Sequence, residues 1–487
     1  MSYREPGARS AADTCAMSTA SSTSLPALDY AASRRIALLV AAAFFMEQLD
    51  ASIIVTALPG IAGGFGVPVL AAGSGVTVYL LAMTVFVPAA GWLTDRVGAR
   101  RLFAGAVGAF TLASLACGLA PSLAAFVVAR GLQGAAAAFM SPVGRVVVLR
   151  ETPRNRLIEA VATLTWPALI GPVVGPPLGG LIVTHASWRW IFFLNLPLGL
   201  VGIALILRML QERPRPPRVR FDLPGFVLTA LGLAGAIQGL SMFGEHASAG
   251  AASALTIAGA ACIVFAVMHA RRTEGAMLDL RPLAAQTFVV STVTAGFLSR
   301  IAINAAPFLL PLMFQVAFGL SPLEAGGLVL VYMAGNLVMK VATTATLRRF
   351  GFRNVLVFNG ALCAASLVAC GLLTPATPRI AIAAVLFFAG AVRSLNFSAV
   401  NTLAFVDIHD EHRAGASALA AMLQQATMAL AVTAASLALT CSQGWHAAPT
   451  LQLADFRFAW FTAAAIMTIA FLGSGRLAVS AGNDAMK

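Results

Sequence analysis

The stretch IALLVAAAFFMEQLDASIIVTAL, residues 36–58, decides which kind of fold this chain adopts. It is long and apolar enough to cross the ~30 Å core of a bilayer as a helix, which takes about 20 residues. Two acids lie inside it. At 1.5 Å per residue, Glu47 falls about 16 Å along the helix and Asp50 about one turn further, so the two carboxyls share one helix face.

The two acids are expensive at this depth. An ionised acid near the bilayer midplane costs roughly 2.5–3.5 kcal/mol or more, so such residues usually face a water-filled cavity or a partner. Burial and mutual repulsion both favour the protonated carboxyl. We therefore expect Glu47 and Asp50 to face water and to carry protons. The alternative is a structural pair of acids satisfied by a neighbouring arginine.

The composition extends this interpretation to the whole chain. Of 487 residues, 59% are hydrophobic and 10% are charged, whereas soluble domains carry about 25% charged residues. The mean hydropathy is +0.85. This predicts an all-α protein that crosses the membrane many times. Further apolar runs of spanning length bring the expected number of spans to fourteen: 76–93, 102–120, 123–148, 157–183, 188–207, 223–243, 252–270, 287–314, 322–347, 355–373, 380–401, 414–439 and 456–473.

The basic residues lie in the short gaps between these runs. With a cytoplasmic N-terminus, 24 Lys and Arg residues lie inside and 3 outside, and the other 5 of the 32 lie within spans. Basic residues favour the cytoplasmic side, so we expect a protein of the cytoplasmic membrane with both termini in the cytoplasm. This topology accounts for the net charge of +13, and no nucleic acid partner is inferred.

Other chemistry finds little support in the pattern. Six cysteines are scattered without a CxxC or a His/Cys metal spacing, so no metal site is predicted. A GxxxxGK[ST] motif is missing, which argues against ATP as the energy source. No cofactor is expected.

Two gaps between spans repeat each other. WLTDRVGARRLF (92–103) follows span two and ATLRRFGFRNVL (345–356) follows span ten, with Arg, Gly and Arg aligned. Internal repeats are typical of secondary transporters. We expect a disordered tail (1–33), a six-helix bundle (34–210), a basic linker with two inserted helices (211–285), a second six-helix bundle (286–478) and a tail (479–487). Met17 is an alternative start.

The first of these gaps is also a motif. GWLTDRVGARR, residues 91–101, resembles the signature loop of the major facilitator superfamily. The resemblance implies two six-helix bundles around a central cavity, here with two extra helices. It also implies a loop that controls closure through Gly91, Asp95, Arg96, Gly98 and Arg100. Arg145, near the inner end of span four, is expected to brace Asp95.

Further stretches resemble one branch of that superfamily. LDASIIVTALP (49–59) is similar to the first-span signature of the drug:proton antiporters, and RGLQG (130–134) resembles the proton-linked arginine motif. WRWIFFLNLPLG (188–199) and RFDLPG (220–225) are typical of the 14-spanner, EmrB/QacA-type branch, and residues 47–50 and 142–145 resemble its subgroup containing MdtD and HsrA. An arginine at membrane depth needs a carboxylate, a carbonyl or water, so Asp50 or Glu47 is expected to pair with Arg130. The alternative is that Arg130 bonds only carbonyls.

Span five is dense in helix breakers. GPVVGPPLGG, residues 171–180, resembles the antiporter motif, which is thought to shape a two-sided gate. Each proline removes a backbone hydrogen bond, and glycines at this density permit close helix packing. The gate is assigned to Gly171, Pro172, Gly175, Pro176, Gly179 and Gly180. The alternative is a kinked packing helix.

The resemblance implies a proton-coupled antiporter that exports small organic compounds by alternating access. Asp50, with Glu47, would take up protons outside and loosen the grip on Arg130, and substrate bound from the cytoplasm would then compete with the proton. The expected partners are a small-molecule substrate, protons and the lipid bilayer, and a monomer is expected. A facilitator or a proton symporter of a polar or anionic metabolite is the alternative. An enzyme would need a convergent nucleophile, base or metal set, and a sensor would need a signalling domain; the sequence presents neither.

The second half carries cations inside its spans. Arg300, Lys340 and Arg393 lie beside Asn304, Asn336 and Asn396, and with Gln133 we assign them to the substrate cavity. This predicts a cavity with an acidic first-half wall and a basic second-half wall, suited to anionic, zwitterionic or polar substrates. The alternatives are that Arg300 and Arg393 pair across the halves, with backbone or with Glu47 and Asp50, and that Lys340 reaches toward the cytoplasmic edge.

Overall fold

The structure, a computed structural model, describes residues 30–152, 156–212, 220–243, 248–446, 450–478 and 481–482. Most of the expected N-terminal tail with Met17, and the linker residues 213–219, lie outside these ranges. The described residues form helices and no strands. Within these described ranges, fourteen segments are long and apolar enough to span a membrane, which confirms the predicted fold class and number of spans. We name them α1 to α14: Ala32–Phe65, Val69–Val97, Ala99–Leu119, Leu123–Glu151, Ala162–His185, Trp190–Met209, Leu223–Met242, Ala249–Arg272, Gln286–Ala317, Pro322–Phe350, Phe352–Leu372, Arg379–Leu403, Arg413–His446 and Leu453–Ser474.

Several helix starts follow from short polar residues at the ends of apolar runs. The Ser122 hydroxyl accepts from the Ala125 N–H before α4, and Ser248 does the same for Ala251 before α8. Ser321 and Glu324 form a reciprocal capping box at the start of α10. Such caps satisfy amide groups that have no partner inside the helix.

The repeated gap motif corresponds to a repeated contact. Gly98 joins α2 to α3 at φ 96°, and Gly351 joins α10 to α11 at φ 78°, a region that favours glycine. Arg100 donates to the Leu207 carbonyl at 2.5 Å, near the end of α6. Arg353 donates to the Gly475 carbonyl at 3.2 Å, just past the end of α14. In each half, therefore, an arginine after the turn donates to one backbone carbonyl near the end of that half's sixth helix.

The two halves meet at one end of the molecule. We call the membrane side where α1 begins the near face and the side where α1 ends the far face. On the far side of the midplane, the Gln315 side-chain amide of α9 donates to the Thr56 carbonyl of α1 at 2.9 Å. A Cβ on Gly180 of α5 would lie 2.8 Å from the Leu323 Cα of α10. One apolar cluster continues from α1 across to α9 there, so the halves are packed together toward the far face.

Helices α7 and α8 pack on each other and lie outside the ring of helices around the cavity. Close approach is possible because Gly232, Gly235 and Gly259 lack side chains at the crossing. The Asp222 carboxylate connects the start of α7 to the end of α8. It accepts from the Met277 N–H at 3.0 Å and contacts His269 at 2.7 Å. Burial raises the pKa of Asp222, but the hydrogen bonds from Met277, Gly225 and His269 outweigh it and hold that pKa below its usual value.

Candidate functional site

The first candidate site is a buried ion pair between α1 and α4. The Asp50 Oδ2 atom lies 2.7 Å from the Arg130 Nη1 atom, and the two side chains are 2% and 0% exposed. The predicted pairing of Arg130 with an acid of α1 is therefore confirmed, and that acid is Asp50. A buried charge pair of this kind is stable only when further hydrogen bonds satisfy its remaining atoms.

Neutral polar side chains supply those hydrogen bonds. The other Asp50 oxygen accepts from Gln133 of α4 at 2.9 Å and from Asn195 of α6 at 2.8 Å. Both amides also donate to the Ser114 hydroxyl of α3, at 2.6 and 3.1 Å. The Gln133 carbonyl oxygen accepts from Arg130 in turn. The network thus connects four helices of the first half through one carboxylate.

Close helix packing brings Arg130 against α2. Its Nε donates to the Gly75 carbonyl at 3.4 Å, and its guanidinium lies 4.2 Å from the centre of the Tyr79 ring. A Cβ on Gly134 would lie 2.9 Å from the Tyr79 Cα, so glycine is required for this approach. The Arg130 Nη2 atom is buried without a hydrogen-bond partner. Asp50 is therefore the carboxylate that compensates the buried charge of Arg130.

The expectation that the two acids face water is wrong for this conformation. Glu47 is 3% exposed and accepts from the Ser141 hydroxyl of α4 at 2.7 Å. Asp50 is 2% exposed, and neither acid lines the central cavity. The reason is helical phase: Gln48, Ser52 and Thr56 occupy the face of α1 that points to the cavity, and the acids point into the first bundle.

A central cavity of about 270 Å³ lies between the halves. Helices α1, α2 and α5 form one wall, and α9, α10, α12 and α13 form the other. Among the described residues, the first-half wall is apolar apart from Gln48, Ser52 and Thr56. The polar members of the second-half wall are Asn304, Asn336, Lys340 and Arg393. These four were predicted as cavity residues from the sequence, and they line it.

Three other residues assigned to the cavity do not line it. Gln133 is buried in the Asp50 network, and Asn396 is 1% exposed inside the second bundle. Arg300 is 1% exposed and fills an irregular part of α9, where it donates to the Ser291 carbonyl at 3.0 Å and to Asn401 at 2.7 Å. The turn at Val289–Val293 is a π-helix, so its wider backbone leaves carbonyls that Arg300 satisfies.

The two cations of the cavity wall bond within the second half. Arg393 donates through Nε to the Ile303 carbonyl at 3.3 Å and through Nη2 to the Asn304 oxygen at 3.1 Å. Arg300 and Arg393 both bond to backbone carbonyls, but to carbonyls of their own half, so the alternative that they pair across the halves, with backbone or with Glu47 and Asp50, is wrong. Lys340 lines the cavity and donates to the Ser398 hydroxyl of α12 at 2.9 Å.

The motif loop after α2 is held by a different arginine from the one expected. Asp95 lies 3.5 Å from Arg150 at the end of α4, while Arg145 is exposed one turn earlier. Arg96 is exposed, Arg100 reaches α6, and a Cβ on Gly91 would meet no atom within 4 Å. Both members of the Asp95–Arg150 pair are partly solvent-exposed, so this contact is weak.

Glycines on two sides of helix α5 allow neighbouring helices to approach closely. A Cβ on Gly171 would lie 2.9 Å from the Gln48 Cβ, and Gly175 and Gly179 approach Ser52 and Ile53 as closely, so this face packs on α1. Gly180 faces α10, as described above. Pro172 and Pro176 line the cavity. The same segment therefore contacts α1, the other half and the cavity.

Asn195 and Ser114 were not predicted as site residues. Asn195 lies in the run 190–207, where it is the polar exception among apolar residues. A polar amide at membrane depth is a signal that we could have used, since it needs a partner. Ser114 carries no such signal, because a serine in a span commonly bonds its own helix backbone.

The comparisons with known proteins agree with this architecture. Residues 40–432 match the model of the Major Facilitator Superfamily, and the chain belongs to that family. It is a multi-pass membrane transporter of small molecules and not an enzyme.

Two relatives carry the name "Putative multidrug resistance protein MdtD". The one from Serratia proteamaculans (strain 568) is 38% identical over 407 residues, which cover 82% of this chain and 83% of the relative. The one from Escherichia coli O6:H1 is 36% identical over 439 residues, or 88% and 92%.

Solved structures share the fold at low sequence identity. A POT family peptide transporter has a TM-score of 0.66 at 16% identity and covers 91% of this chain and 96% of its own. A D-xylose-proton symporter has a TM-score of 0.64 at 15% identity, with 92% and 98% covered.

Proposed function

We propose that this protein is a proton-coupled antiporter that exports small organic compounds across the cytoplasmic membrane, with both termini in the cytoplasm and the monomer as the working unit. The observation that carries the proposal is the buried Asp50–Arg130 pair with its network of neutral donors. The family and the name of the relatives support the class of activity.

The pair is suited to couple a proton to helix movement. A proton on Asp50 would cancel its charge and leave Arg130 fully buried with no carboxylate. An uncompensated buried charge costs about 3–5 kcal/mol, so protonation favours a conformation in which Arg130 finds water or another acceptor. Because the network reaches α1, α3, α4 and α6, such a change moves the wall of the cavity that α1 contributes.

The described conformation is one end of this cycle. If the near face is cytoplasmic, the contacts of Thr56 with Gln315 and of Gly180 with α10 close the cavity toward the outside. Opening these contacts lets water and protons reach the first bundle, where Asp50 and then Glu47 take them up. Each proton moving inward down 100 mV contributes ~2.3 kcal/mol, before any pH gradient is added.

A buried acid that is sealed in one state and accessible in the other is what alternating access requires. The observed burial of Asp50 therefore fits a proton carrier in its occluded position. The Asp95 loop and the Gly/Pro segment of α5 are proposed as the parts that control closure, since they contact α4 and α10 respectively.

The first prediction tests this function. In proteoliposomes that contain a pH-sensitive dye, wild-type protein should dissipate an imposed pH gradient when a transported compound is supplied, with protons and compound moving in opposite directions. Asp50→Asn should insert at wild-type levels and lose this coupling by more than tenfold. Movement of protons and compound in the same direction would establish the symporter alternative.

Asp455→Asn is the matched control, because Asp455 is also fully buried but caps α14 through Gln452 and Ser442, away from Arg130. It should retain proton-coupled transport. If Asp50→Asn kept wild-type proton coupling, Asp50 would be excluded as the residue that carries the coupled proton.

A further inference from the structure

We propose that the central cavity recognises a small organic anion, whose carboxylate or sulfonate lies between Lys340 and Arg393 and whose apolar body lies against α1, α2 and α5. This assignment of a substrate class rests on the proposed transport function and makes it specific. It departs from the mixed acidic and basic cavity expected from the sequence.

The charge of the cavity is the first argument. Among the described residues that line it, two are cationic and none is an Asp or a Glu. The nearest candidates for an acidic wall, Glu47 and Asp50, point away from the cavity and are occupied by Ser141 and Arg130. A cationic substrate would thus meet two like charges and no partner, while an anion would meet two opposite charges in a site of low dielectric.

The unused donors are the second argument. The hydrogen bonds of Arg393 occupy its Nε and Nη2 atoms, so Nη1 remains available, and Lys340 uses one of three donor hydrogens on Ser398. The Asn304 amide nitrogen is buried on the cavity wall and has no partner, while its oxygen accepts from Arg393. Because that nitrogen is buried, the free donors that face the cavity are those of Lys340 on α10 and Arg393 on α12, and an oxyanion supplies the acceptors that they lack.

The opposite wall of the cavity determines the chemistry of the uncharged part of the ligand. Val55, Val76, Leu80 and Val173 are apolar and lie across from the cations. The volume of about 270 Å³ lies just below the range of about 300–1,000 Å³ typical of ligand pockets, which favours a compact ligand. An aromatic or branched body with one charged group fits both walls.

An anionic substrate changes the net charge that crosses the membrane in each exchange. Exchange of one inward proton for one outward monovalent anion moves two net charges, whereas exchange for a monovalent cation moves none. Anion export is therefore driven by the membrane potential as well as by the pH gradient, and the dependence on potential separates the two classes.

The second prediction uses naphthalene-2-sulfonate as the anion, ethidium as the cation and 2-naphthylmethanol as the neutral analogue. Purified full-length protein should bind the sulfonate at equilibrium at least tenfold more tightly than the alcohol. Lys340→Gln and Arg393→Gln should each weaken that binding by at least tenfold and leave binding of the alcohol within twofold. In proteoliposomes, sulfonate exchange should accelerate with a potassium–valinomycin potential.

Arg349→Gln is the matched control, since Arg349 lies on the same helix as Lys340 but is exposed beyond the cavity. It should bind the sulfonate within twofold of wild type. Unchanged sulfonate binding in both cavity variants would overturn the proposal, as would proton exchange with ethidium and not with the sulfonate. The latter result would leave the antiporter function standing. If the wild-type protein bound the sulfonate but exchanged no protons for any compound, the antiporter function would be excluded and the anion site would be retained.

Discussion

Asp50 and Arg130 differ in what they can do when the partner is lost. A buried carboxylic acid can bind a proton and become neutral, and Gln133 and Asn195 would still donate to it. An arginine keeps its charge in proteins, and the Nη2 atom of Arg130 already lacks a partner. The arginine is thus the member of the pair whose isolation is more costly.

The third prediction follows from this asymmetry. Asp50→Leu should destabilise the purified protein by about 3–5 kcal/mol, because it strands the guanidinium. Arg130→Met should cost less, and the double variant should recover most of the stability while remaining uncoupled. Thermal unfolding in detergent measures the order of the three. A double variant as unstable as the sum of the singles would show that the two side chains do not interact.

Helix α5 connects the proton network to the gate through its packing. Its glycines place it against Gln48 and Ser52 of α1, the helix that carries Asp50. A movement of α1 is therefore transmitted directly to α5, which contacts α10. Across the interface between the halves, Gly326 of α10 lies against the Pro176 carbonyl carbon, where a Cβ would be 2.9 Å away. The next residue, Gly327, would place a Cβ in open space.

The fourth prediction compares these adjacent glycines. Gly326→Ala should force α5 and α10 apart at the far face and lower the stability of the closed conformation by about 1–3 kcal/mol, as overpacking does in other well-packed interiors. Transport should slow, and a cysteine introduced near Gln315 in a background without native cysteines should react faster with an impermeant maleimide. Gly327→Ala should match wild type in both measurements. Equal effects of the two changes would exclude packing as the cause.

The molecule as a whole is two similar bundles with a helical pair added outside them. Helices α7 and α8 contribute none of the described residues that line the cavity, and α7 contacts α2 and α13 at the bundle surface. The hydrogen bond between Asp222 and Met277 places the start of the insertion beside its end. A chain without the pair could therefore join these points without moving either bundle.

The fifth prediction is that excision of residues 223–276, with Asp222 joined to Met277 by two glycines, leaves a twelve-helix protein that inserts and transports. The surfaces exposed on α2 and α13 would meet lipid, which solvates apolar side chains as well as the removed helices do. Proton-coupled transport in proteoliposomes measures the result. Excision of the hairpin formed by α11 and α12, which removes Arg393, should abolish activity. Failure of the 223–276 excision to insert would make α7 and α8 part of the folding unit.

The sequence by itself determined the class of fold, the number of spans and several contacts of single residues. Hydrophobic length specifies helices in a bilayer because every backbone group must be satisfied within the segment, so run length was sufficient. The pairing of Arg130 with an acid of α1 was predictable because an arginine at membrane depth has few possible partners.

Only the tertiary structure decided which side of each helix meets water. Glu47 and Asp50 lie on the bundle side of α1 and Ser52 on the cavity side, and a run that is apolar all round does not encode that rotation. Arg300 and Arg393 have the same chemistry in the sequence, yet one fills a π-helical turn inside the bundle and the other faces the cavity. Helix packing sets these rotations through contacts distant in the chain, which is why the sign of the cavity's charge became readable only from the folded molecule.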